Sequence, residues 1–244
     1  MKATLLALVL IGATAARAGG HVVLDREAAE TLLGEIAGHR RASVEAPVES
    51  GRVEALFRLG QTVETLVEAL NRDVSAHGQR DLFGELVVGR LQAHTINVAW
   101  MAREGRYEYD LAAFREIVRR APRGRWAAES SFRLIARRFY ATLASDPATL
   151  VGIDVAGVLD AVRDEQRFLR DYPGHQRATT VRFFLAVDHF RIARNARDPA
   201  QVRAHERHAR RALEQTVNAS PEAFEVRAAQ ALLERLAGGR VTPD

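Results

Sequence analysis

The chain has 244 residues, no cysteine, and 35 basic against 31 acidic residues, 34 of the basic ones being Arg. Without cysteine it has no disulfide, no thiolate nucleophile, and no lipid-anchored cysteine of the kind a bacterial lipoprotein needs. The pI near 10.0 overstates the charge, because the formal net charge is only +4 and few groups titrate between His and Arg; so weak a global field does not mark a nucleic-acid binder.

The first predicted element is a leader. Lys2 supplies a positive charge, residues 3–16 are apolar or small, and Ala16-Arg17-Ala18 forms an A-x-A pattern. These are the three parts of a secretory signal peptide, in order, over 1–18. The apolar run is shorter than the ~20 residues of a membrane span. The expectation is an exported protein, periplasmic or secreted and not a lipoprotein, with no transmembrane span after cleavage. A cut after Ala18 frees Gly19-Gly20-His21. An amine, two backbone amides and a third-residue imidazole wrap a square-planar ion, which selects Cu(II) or Ni(II). Residues 19–50 then read as an N-terminal helix and loop, and 51–244 as one helical domain.

Apolar residues recur at helical spacing almost throughout. Val53, Leu56, Phe57, Gly60, Val63, Val67 and Leu70 follow i, i+3, i+4, i+7. Asp146-Pro147, Asp198-Pro199 and Ser220-Pro221 each place a capping side chain before a proline suited to the first helical position. The pattern predicts about nine helices, over 24–39, 51–73, 80–104, 108–121, 125–144, 154–171, 176–196, 199–217 and 221–237. Looser joints are expected at 40–50 and 145–153. In 176–196, Phe183, Val187 and Phe190 form one apolar stripe and Val181, Leu185 and Ile192 another, nearly opposite. A helix with two stripes is one held between neighbours.

The chain repeats itself. "IVRRAPRGRWAAESSFRL" (117–134) aligns without gaps with "FLRDYPGHQRATTVRFFL" (168–185), pairing Pro122 with Pro173, Ala127 with Ala178 and Phe132 with Phe183. Gly105, Tyr107, Phe114 and Pro122 have the spacing of a turn, second helix and terminal proline. Ala209, Leu213 and Pro221 fit an A-x3-F…P half, and Leu56, Leu59, Gly60 and Val63 a first helix. On these residues the chain resembles a degenerate tetratricopeptide repeat, like the exported repeat proteins of bacterial envelopes that assist outer-membrane assembly or cell division. The resemblance implies an all-α, right-handed α-α superhelix, or solenoid, with a concave face that binds a peptide or protein partner without catalysis.

No nucleophile elbow, phosphate loop or zinc-protease motif is present. His205 and His208 are spaced to share a helix face, yet Arg207, Arg210 and Arg211 oppose a cation there, and packing at the core edge is the expectation. Trp100 and Trp126 read as packing between helices. Charge is blocky: 115–138 carries eight Arg against two Glu, and 177–211 nine Arg against three acidic residues. Arg203, Arg207 and Arg210 form a stripe at i, i+4, i+7, Arg133 and Arg137 a shorter one, and Arg182 lies in the second block. Like charges so spaced oppose the helix unless something answers them. Either neighbouring acidic helices do, or an anionic ligand does. The expected function is a non-catalytic exported scaffold or adaptor for a protein or peptide partner of the cell envelope, with no cofactor and no nucleic acid. The alternatives are a metal-binding protein using Gly19, Gly20 and His21, or a helical accessory subunit of an envelope enzyme.

Overall fold

A computed structural model describes residues 24–143, 154–219 and 224–237. The leader, Gly19, Gly20, His21, the joint at 145–153 and Pro221 lie outside the described residues. The class is as expected: nine helices and two short strands among the described residues. None of these helices is long and apolar enough to cross a membrane. The chain divides into two compact units between Leu134 and Ile135.

The first unit opens with α1 (Arg26–Glu45), capped by Asp25, whose carboxylate accepts from Ala28 N at 2.8 Å. The helix runs through the first half of the expected joint and stops at Ala46. Helix α2 (Glu49–His77) is the centre of this unit. It packs against α1, the second strand and the fourth helix, and buries Val53, Leu56, Phe57, Leu59, Val63, Leu66, Val67 and Leu70. Gly60 lets it approach its neighbour closely, since a Cβ there would sit 2.6 Å from Phe114 Cζ.

The helix expected over 80–104 is not one helix. Helix α3 (Leu82–Ala93) ends at His94, and β1 (Val98–Met101) and β2 (Arg106–Tyr109) follow as an antiparallel hairpin. Thr95 adopts φ 60°, which breaks the helical path, and Gly105 at φ 62° closes the hairpin. Val98 pairs with Tyr109 and Trp100 with Tyr107, so period-2 alternation turns all four inward. Gly105 and Tyr107 are therefore a hairpin turn and a strand, not the turn and second helix of a repeat. Asn71 of α2 ties the hairpin down: its Nδ2 donates to Tyr107 O at 2.9 Å and its Oδ1 accepts from Tyr107 N at 2.6 Å. Helix α4 (Ala112–Arg120) starts later than the expected 108.

Helix α5 (Ala127–Leu143) contributes residues to both units. The second unit continues with α6 (Val155–Asp171), α7 (Ala178–Asn195), α8 (Pro199–Ala219) and α9 (Phe224–Ala237). Helix α7 packs against α6, α8 and α9 and buries Val181, Phe183, Phe184, Ala186 and Ile192, while Leu185, Val187 and Phe190 of the expected stripes are half-buried. Phe184 stacks on Phe139 of α5, with centroids 4.0 Å apart.

The aligned segments form the same corner. The helix before each ends at a similar conformation, φ −135°, ψ 64° at Ala121 and φ −134°, ψ 55° at Tyr172. Four backbone hydrogen bonds recur in register. Ala121 N–Ile117 O, Gly124 N–Ala121 O, Ala127 N–Gly124 O and Ser130 N–Trp126 O match Tyr172 N–Phe168 O, His175 N–Tyr172 O, Ala178 N–His175 O and Val181 N–Arg177 O. Ala127 and Ala178 are buried in both, as small residues where helices meet.

Candidate functional site: the arginine face of helix α8

Asp198 starts α8, accepting from Ala200 N at 2.9 Å. Ala209, Ala212, Leu213 and Thr216 face the core, and Thr216 donates to Ala212 O within the helix. The opposite face exposes Arg203, Arg207, Arg210 and Arg211, with Glu206 and Glu214. Among the described residues no carboxylate pairs with Arg203, Arg207 or Arg211. Helix α6 supplies the contrast. Its exposed Arg163, Arg167 and Arg170 have the i, i+4, i+7 spacing of Arg203, Arg207 and Arg210, and each has a carboxylate, Asp160, Asp164 and Asp171 respectively.

The other predicted arginines differ. Arg133 belongs to the first unit, where its side chain is 12% exposed, paired with Glu64 and Glu129, and set 5.1 Å over the Phe114 ring. It holds that unit together and is not open to a partner. Arg137 on α5 and Arg182 on α7 are half-buried. The structure thus keeps Arg203, Arg207 and Arg210 on one exposed face, adds Arg211 beside them, and leaves Arg133 out.

Histidines line the seam between α7 and α8. His189 Nδ1 lies 2.9 Å from His205 Nδ1, so one nitrogen carries the proton the other accepts. The His208 ring stacks on His189 at 5.0 Å. Burial, then the neighbouring imidazoles, push the His189 pKa down to about 4, and burial lowers that of His205. These rings are packing groups, as the sequence suggests. Among the described residues no three His, Cys, Asp or Glu side chains are grouped to hold a metal. Trp126 packs on Phe57 of α2 at 4.2 Å, whereas Trp100, expected between helices, lies on β1 and packs on Tyr107 of the paired strand at 5.0 Å.

Sequence reasoning missed a buried polar group beside this seam. Arg191 Nη1 donates to Asp188 Oδ1 and Thr142 Oγ1, both at 2.9 Å, and its Nη2 donates to Thr142 O at 2.7 Å. Glu165 is wholly buried, and burial and then the Asp188 charge raise its pKa well above the usual carboxylate range. Burial also raises Asp188, to about 6, against the pull of Arg191. A protonated Glu165 gives Asp188 a donor and leaves one carboxylate facing one guanidinium. The signal was legible: Glu165 occupies a core position in the stripe Val158, Ala161, Val162, Phe168. Its burial makes it part of the frame behind α8.

No family model matches the chain, and no curated protein and no solved structure matches it either.

Proposed function

We propose that this protein is a non-catalytic, exported adaptor that holds an anionic protein or peptide partner of the cell envelope on the arginine face of α8. The observation that carries this reading is that, among the described residues, no carboxylate pairs with Arg203, Arg207 or Arg211, whereas the exposed Arg163, Arg167 and Arg170 of α6 each have one from the chain itself. Unpaired guanidinium groups at such spacing are destabilising to the helix and suit carboxylates bidentately. The leader pattern supports export. The repeated corner at Pro122 and Pro173 supports the tetratricopeptide-like reading, in which the helices stack into a superhelix.

The test uses immobilised polyglutamate at low and moderate salt. Wild type is retained at low salt and released as salt screens the charges. Arg203→Glu, Arg207→Glu and Arg210→Glu together abolish retention. The matched reversal of Arg163, Arg167 and Arg170 changes net charge equally and preserves it. Equal loss in both variants would show that only net charge matters and would refute a dedicated face.

A further inference from the structure

The first unit contains a pocket of about 310 Å³, at the small end of ligand sites, which span ~300–1,000 Å³. Its floor is apolar, made by Leu56, Leu59, Ile96 and Tyr109, all buried. Its rim carries Arg40, Thr95, Glu116 and Arg120. Arg120 is already committed, bonding Glu116 at 2.5 Å and approaching Glu49 at 3.6 Å. Glu116 is committed as well, to Arg119 and Arg120. Arg40 differs. Its Nη2 donates to Thr95 Oγ1 at 3.0 Å, and no carboxylate pairs with it among the described residues. The pocket thus offers an apolar floor and one unspent positive charge.

The backbone around it is strained. Thr95 lines the pocket and Leu111 precedes Ala112, which also lines it; these are the two non-glycine residues with positive φ among the described residues, both at 60°. A β-branched residue in that region is an outlier, and such strain concentrates at ligand sites. Glycine would relieve it at Thr95 but would remove the hydroxyl that holds Arg40 at the rim. At the other side, the Tyr109 hydroxyl accepts from Ala113 N at 3.0 Å, fixing the phenol as floor.

We propose that this pocket binds a small monoanion: a carboxylate on a short apolar body, its carboxylate on Arg40 and its body against Leu56, Leu59 and Ile96. A single guanidinium matches one carboxylate bidentately. Such a group comes from a free fatty acid or from the C-terminal residue of a peptide. The proposal is independent of the reading of α8.

The experiment titrates the full chain by calorimetry with octanoate, with N-acetyl-Ala-Leu as the free acid, and with the same dipeptide as its amide. At least one acid binds in the micromolar to low-millimolar range, and the better acid tells the two sources apart. The amide binds at least tenfold more weakly. Arg40→Gln weakens the acid about tenfold, the loss expected for one charge-assisted pair. Ala112→Phe, which fills the mouth at an exposed position, abolishes binding while circular dichroism stays unchanged. Thr95→Gly raises the melting temperature and weakens the acid. Absence of binding by both acids, or an amide as good as the acid, or an unaffected Arg40→Gln, overturns the proposal.

Discussion

At the scale of single residues, two positions show how little freedom the first unit leaves. Gly60 faces the wholly buried Phe114 ring, which cannot retreat because Phe57 packs on its edge, with centroids 5.9 Å apart. Gly60→Ala should destabilise the protein by about 1–3 kcal/mol through overpacking, despite alanine's better helix propensity; urea denaturation measures it, and a more stable variant would show that the ring yields. The glycine was visible in the sequence as part of a helical stripe, but its reason was not, since the clash comes from a residue 54 positions away. Arg133 makes the converse point. Read as a surface cation, it is an internal tie, because Glu64 reaches it from a distant part of the chain.

At the scale of elements, the hairpin shows where helix formers mislead. Ala99, Met101 and Ala102 fit a helix, while the strand signal rests on Val98, Trp100, Tyr107 and Tyr109 at alternate positions. Packing of those four against the core decides the matter. Asn71 then acts as a surrogate strand, satisfying both backbone groups of Tyr107. Asn71→Ala should cost about 2–4 kcal/mol, since it leaves a buried donor and acceptor unpaired, and hydrogen exchange at the Tyr107 amide should quicken by more than the global loss accounts for. Exchange that follows global stability alone would show that the tie is dispensable. The repeated corner was legible for the opposite reason: its hydrogen bonds are local and its proline and alanine are fixed by backbone geometry.

At the scale of the whole molecule, the buried ionisable groups set a pH profile. His189 has a folded pKa of about 4, below its ordinary 6.5. Its contribution is full above pH 6.5 and is lost as pH falls toward 4. Asp188 is raised from 3.8 to about 6 and Glu165 is raised as well. Their contributions are full below the ordinary carboxylate range and are lost as pH rises through the folded values. Between about pH 4 and 6.5 His189 gains stability as pH rises while the two carboxyl groups lose it; above pH 6.5 His189 no longer opposes that loss. Stability should therefore fall from mildly acidic to alkaline pH. Glu165→Gln keeps a donor for Asp188 and cannot ionise, so it should lessen that decline and exceed wild type by about 1–3 kcal/mol at pH 8. Denaturation at pH 5 and pH 8 checks this, and a variant that keeps the wild-type decline would place its origin elsewhere.

The sequence by itself determined the helical class, most helix positions, the recurring corner and the arginine stripe on α8, all of which follow from periodicity, capping and local spacing. Tertiary structure decided the rest: the hairpin, the role of Gly60, the burial of Arg133, the carboxyl pair beside Arg191, and the pocket between Arg40 and Tyr109. Each depends on side chains that meet across long separations in sequence, where desolvation and close packing, not local propensity, fix the outcome.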